Sequence, residues 1–170
     1  SWRVLLLPYM ERKDLYDQYR FDEPWNGPNN SKLADQIKAA YSCPEDHPKQ
    51  RSQPSTETSF VAIVGDHTPW PGEKAISFAD FTDGTANVII VVEVHHSGIH
   101  WMEPRDLHVT QMAATINAQH GQGINSGHRH GAQVGLADGT VRFLQDSIPA
   151  DVLRGWINLD DGTLPEPAAP

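Results

Sequence analysis

Residues 127–144, GHRHGAQVGLADGTVRFL, decide how the chain is read. On both sides of Asp138-Gly139 apolar residues alternate with others, the pattern of two strands joined by a tight turn. A two-residue type I′ turn needs φ > 0 at both central positions, which Asp tolerates and Gly accepts freely. Taken as that turn, the dipeptide pairs Leu136 with Val141 and Val134 with Phe143, all on one face. The first half of the stretch offers a competing use. On a strand His128 and His130 point to the same side, Asp138 can approach across the hairpin, and imidazoles with a carboxylate form an acceptable zinc shell.

Working outward, the same patterning assigns the rest of the chain. Pro8 suits the first turn of a helix, where its missing N–H has no partner to lose, so PYMERKDLYDQYR reads as one helix. FDEPWNGPNN ends it. Ser31 is placed to cap a second helix, SKLADQIKAA, with Leu33, Ile37 and Tyr41 four residues apart. EDHPKQRSQPSTETS reads as an exposed loop. FVAIVG and NVIIVVEV are β-branched runs bounded by turn residues, the pattern of buried strands. Between His95 and His130 the periodicity weakens and allows one helix near residues 109–117. Ser147 followed by IPADVLRGWIN predicts a capped C-terminal helix that buries Val152, Leu153 and Trp156. The sum is an α+β fold: N-terminal helices, a mainly antiparallel sheet with long loops, and a C-terminal helix. We expect one domain over residues 1–158 and a flexible, Pro-rich tail over 159–170.

Composition narrows the function classes. A formal net charge of −9 with 13 Lys plus Arg and no basic run removes the electrostatic footprint of nucleic-acid binding. The single cysteine, Cys43, cannot form an internal disulfide. Thirteen Gly and 13 Pro mark a loop-rich globular protein. No apolar run is long enough to span a bilayer.

Among nine histidines, His95, His96, His100, His108, His120, His128 and His130 crowd one region. Their spacing matches neither two histidines on one helical face nor cysteine pairs. His128, His130 and Asp138 therefore stand as metal candidates against the favoured reading, in which the histidines lie in solvated loops or are hydrogen-bonded inside; no cofactor is expected. Cys43 with His47 is a local pair without an oxyanion hole. Glu103, Asp106, Asp160 and Asp161 read as surface charge. GQG at 121–123 lacks the strand and further glycine of a phosphate loop. Trp25, Trp70 and Trp101 stand in Pro/Gly loops as ligand or carbohydrate candidates, although anchoring loops to a core is the commoner use of such indoles.

His128 and Asp138-Gly139 are separated by the nine residues RHGAQVGLA. With SWRVLLLPYMERKDLYDQYRFDEPWNGPNN, YSCPED, SFVAIVG, DFTDGTANVIIVVEV, WMEPRDL and ADGTVRFL in order, the chain resembles the prepilin-type-processing-associated H-x9-D-G domain family, a pseudopilin-like family abundant in planctomycete bacteria. His130 departs from the glycine more familiar at its place. The resemblance implies a type IV pilin-like head domain, non-catalytic and structural, in which His128, Asp138 and Gly139 serve the fold and His128 braces the approach to the turn. It implies export to the periplasm or cell surface, anchoring by an N-terminal membrane helix absent from this sequence, and other pseudopilin-like subunits or secretion machinery as partners. Leu5, Leu6, Leu7, Leu15 and Tyr16 are then expected near the junction with that helix, as an apolar strip giving weak self-association. The alternatives are an extracytoplasmic ligand- or carbohydrate-binding domain and a His/Asp metal-binding protein.

Overall fold

The computed structural model describes residues 1–36, 38–46, 56–118 and 122–162. The chain forms two compact units, one of residues 1–59 with 96–105 and the other of 60–95 with 106–170. The fold is α+β, with a mainly antiparallel sheet, long loops and a C-terminal helix. No helix among the described residues is long and apolar enough to cross a membrane.

The first unit contains α1 (Trp2–Leu5) and α2 (Lys13–Gln18), separated by a 3-10 turn over Leu7–Met10. The single helix expected from Pro8 onward is broken at Glu11, whose backbone is left-handed at φ 59°. There the Arg12 N–H turns back to the Leu7 carbonyl at 2.9 Å. The break lets Val4, Leu7 and Leu15 share one core with Leu33, Tyr41, Trp101 and Met102, and burial of that kind outweighs local helix propensity. Leu7 and Leu15 therefore do not belong to an exposed strip, whereas Leu5, Leu6 and Tyr9 are exposed.

The second expected helix is also corrected, to 3-10 turns at Asn30–Leu33 and Lys38–Tyr41; Ile37 lies outside the described residues. Local polar bonds compete with helix here. Buried Asn30 accepts the Arg20 N–H and donates to the Arg20 and Pro24 carbonyls, while Glu23 accepts the N–H groups of Asn29 and Asn30.

The second unit holds β1 (Phe60–Val61), β2 (Ile63–Val64), β3 (Ile89–Glu93), β4 (Leu107–His108), β5 (Gly131–Leu136), β6 (Val141–Gln145) and α3 (Ala150–Ile157). Four strands form an antiparallel sheet in the order β1-β3-β5-β6, and β2 pairs with β4 in parallel. FVAIVG is thus two strands rather than one. Ala62 divides them, with its N–H bound to the Asp106 carboxylate at 2.8 Å and its carbonyl to the Leu107 N–H. No helix forms near 109–117, because Ala113 and Asn117 donate across the loop to the Gln122 and Ile124 carbonyls instead of one turn back. α3 is present but starts after Pro149 with no side-chain cap, so Ser147 is not its cap; Leu153, Trp156 and Ile157 are buried along it.

The hairpin forms at Asp138-Gly139 in a different register from the expected one. Leu136 accepts from the Gly139 N–H at 2.9 Å and donates to the Thr140 carbonyl at 2.8 Å, so Ala137, Asp138 and Gly139 make a three-residue loop. Gly139 alone of these three has positive φ, at 87°, as the left-handed closing position of such loops requires. Gly135 therefore faces Val141 and Gln133 faces Phe143. A shift of one residue moves side chains to the opposite face. Leu136, Val134 and Leu144 are buried, whereas Val141 and Phe143 are 68% and 41% exposed on the other side. Arg142 points with the buried set and lays its guanidinium over the Trp156 ring, 5.0 Å from its centre.

Of the stretch read as a tail, 163–170 lies outside the described residues. Leu159 is buried, and the N–H groups of Asp161 and Gly162 bind the Asp83 carboxylate at 3.1 Å each.

Candidate functional site

β5 accounts for the spacing of the His-and-Asp-Gly motif. Between its two ends lie two loop residues, the six residues of the strand and the first loop residue of the hairpin. Six strand residues span about 20 Å, so His128 and Asp138 sit at opposite ends of β5.

At the near end, His128 Nε2 lies 3.4 Å from Oε1 of Glu93, which is buried on β3. The other Glu93 oxygen accepts the Gln133 N–H at 2.6 Å. Ser126 Oγ accepts the His128 N–H and donates to the Gly131 carbonyl at 2.7 Å, so the loop is tied to the start of β5. His130 is exposed and left-handed at φ 63°, and its carbonyl accepts from Asp146.

At the far end, Asp138 accepts the Thr140 N–H and hydroxyl at 2.9 and 2.7 Å. These bonds hold its carboxyl below the usual carboxylate range. The turn is braced from Thr85 and Val88, whose carbonyls accept from Asp138 and Ala137. The expected brace from His128 is therefore replaced by these carbonyls, because a whole strand intervenes. His128, His130 and Asp138 are not gathered into one metal shell. His47 and His120 lie outside the described residues, as does Gly121 of the rejected phosphate loop. Cys43 is buried, and its N–H donates to the Ser59 hydroxyl, which in turn binds Asp46.

The three tryptophans separate clearly. Trp101 is 1% exposed and donates its indole N–H to the Ala34 carbonyl at 2.9 Å, and Trp70 donates to the Ile90 carbonyl at 2.8 Å. Trp25 is half-buried and lines an open cleft of about 520 Å³ with Leu5, Tyr19, Phe21, Pro24 and Pro104. Behind Trp25 the rings form a continuous stack. Trp25 lies on His100 at 4.8 Å, His100 on Trp101 at 6.1 Å, and Trp101 on Tyr41 at 5.7 Å. Burial lowers the His100 pKa, against the pull of Glu103 and Asp35. Burial raises Tyr41 to about 12, and its hydroxyl donates to the Arg3 carbonyl at 2.6 Å.

Sequence reasoning passed over Glu93, although a carboxylate ending a β-branched run needs a partner when buried. His100 and Tyr41 as supports for Trp25 carried no local signal.

No curated protein and no solved structure matches the chain. The profile of one family, SBP_bac_10, described as a protein of unknown function (DUF1559), matches residues 1–103 and 96–151. With nearly the whole chain covered from Ser1 to Asp151, this protein belongs to the DUF1559 family.

Proposed function

We propose that this chain is the non-catalytic head domain of a pseudopilin-like protein of a secretion or surface filament system. The observation that carries the reading is the use of the motif. Gly139 and Asp138 shape the hairpin loop, and His128 holds a loop to the sheet through Glu93. The order of the other sequence blocks resembling the H-x9-D-G family also supports it. In this reading the protein is exported, anchored by an N-terminal apolar helix, and partnered by similar subunits or the secretion machinery. The test is the mature N-terminus of the native protein, recovered from membranes of the producing cell and sequenced by mass spectrometry. An N-methylated residue opening an apolar segment of about 20 residues is expected. An unmethylated terminus without such a segment overturns the proposal.

A second reading, a ligand-binding module, is favoured by one observation. Trp25 presents an aromatic platform to a cleft while being backed by a stack of three further rings. Oligosaccharide titration followed by tryptophan fluorescence, with Trp25→Ala as control, tests it. Saturable quenching lost in the variant is the expected outcome, and a flat titration overturns this reading.

A further inference from the structure

The four-stranded sheet has two edges of different kinds. β1 is two residues long, and very short edge strands are one way of preventing sheet-to-sheet pairing. β6 is five residues, VRFLQ, with no proline or lysine, and its pairing with β5 runs without a register shift. Two hydrogen bonds fix which way its backbone points. The Thr140 carbonyl accepts from Leu136, and the Asp146 N–H donates to His130. Even-numbered residues therefore turn to β5, and by the alternation of antiparallel ladders Val141, Phe143 and Gln145 turn outward. The Gln145 carbonyl already accepts from Ile148.

The centre of this edge is ordered in advance. An ideal Cβ on Gly131 would fall 2.6 Å from Cε1 of Phe143, so the Phe143 ring rests where Gly131 has no side chain. Between Asp138 and Asp146 the only charge is Arg142, whose guanidinium lies over Trp156.

We propose that β6 pairs with β6 of a second copy of this chain, antiparallel about a two-fold axis through Phe143, to make a continuous eight-stranded sheet. This register sets Phe143 against Phe143, Val141 against Gln145, Arg142 against Leu144 and Thr140 against Asp146 of the second copy. No like charges oppose one another, so the edge is complementary to itself, as a two-fold interface must be. The aromatic pair adds to the ladder bonds. A single edge strand buries little area, so the association is weak. The formal net charge of −9 opposes it, which makes it stronger in salt. The inference holds whichever of the two functional readings is right.

Sedimentation velocity of the 170-residue chain across a wide concentration range tests it. The weight-average sedimentation coefficient should climb toward that of a dimer, more so at raised ionic strength. Val141→Lys places a lysine on the exposed edge, and Phe143→Pro removes an outward N–H while sparing the bonds to β5. Both should abolish the climb with circular dichroism unchanged, and Val141→Lys alone decides if the proline variant misfolds. In a Cys43→Ser background, Phe143→Cys should form a disulfide-linked dimer under mild oxidation, because paired residues lie about 5.5 Å apart at Cα. Val141→Cys alone should not, being about 13 Å out of register with itself. A chain that stays monomeric throughout overturns the proposal. So does association that survives Val141→Lys and is lost on replacing exposed Leu5 and Leu6 by lysine, or equal crosslinking at positions 141 and 143.

Discussion

Glu93 on β3 holds two partners at once: His128 Nε2 at 3.4 Å from one carboxylate oxygen and the Gln133 N–H at 2.6 Å from the other. One buried acid thus fixes both the loop before β5 and the third residue of β5 itself.

Glu93→Ala leaves the Gln133 N–H without its acceptor, a loss of about 1–3 kcal/mol. Glu93→Gln keeps an acceptor oxygen and should cost less. For a chain of this size each kcal/mol lowers Tm by roughly 2–4 °C. Thermal unfolding should therefore rank wild type above Glu93→Gln and Glu93→Gln above Glu93→Ala; equal midpoints for the two variants would refute the role given to the carboxylate.

Two glycines should differ in the cause and size of their effect. Gly139 has φ 87° and nothing within 4 Å of an ideal Cβ, so Gly139→Val suffers backbone strain alone, on the order of 1–3 kcal/mol. Gly139→Asn should recover part of that, since Asn tolerates the left-handed region. At Gly131 an ideal Cβ would collide with the Leu144 carbonyl oxygen. Gly131→Ala must move the β5-β6 ladder and should destabilise more than Gly139→Ala. Chemical denaturation of both variants decides the order.

His100 should make stability depend on pH. Its Nδ1 accepts the Met102 N–H at 3.1 Å, and burial lowers its pKa from the ordinary 6.5. Below 6.5 the unfolded chain takes up a proton that the folded chain resists, so this contribution shrinks as pH falls from 6.5 through the lower folded value. Above 6.5 it is constant. The melting temperature of wild type should fall more steeply on acidification than that of His100→Phe, and parallel curves would count against the half-buried neutral imidazole.

Tyr41 carries the opposite dependence. Its folded pKa is about 12 against an ordinary 10.0, so stability should decline as pH rises from 10 toward 12, where the unfolded chain ionises first. Ultraviolet titration should show a late phenol that is absent from Tyr41→Phe, beside Tyr19, which burial also raises. The same variant leaves the Arg3 carbonyl without this donor and should lose about 1–3 kcal/mol at neutral pH.

The α+β class, the hairpin at Asp138-Gly139 and the C-terminal helix were legible because each rests on a local pattern. The register was not. An Asp-Gly turn fits two-residue and three-residue loops alike, and the register observed buries Leu144 and lays Arg142 over Trp156, contacts that lie outside the turn itself. The break at Glu11 was equally hidden, since only a core that includes Leu33, Tyr41 and Trp101 requires it. At the candidate site, Trp25 was visible as an indole in a Pro/Gly loop. Its support came from His100, Trp101 and Tyr41, which nothing in the neighbouring sequence connects to it.

The strand that separates His128 from Asp138 makes the motif a gauge of length. Deleting one residue within Gly131–Leu136 would turn one half of the strand inside out, setting Val134 or Leu136 against solvent. Deleting two would restore the facing but pull the hairpin loop about 7 Å from the Thr85 and Val88 carbonyls that brace it. Length variants of this protein should therefore retain their fold only when the inserted or missing residues fall outside the count from His128 to Gly139, and the number nine is the record of a strand that has to reach.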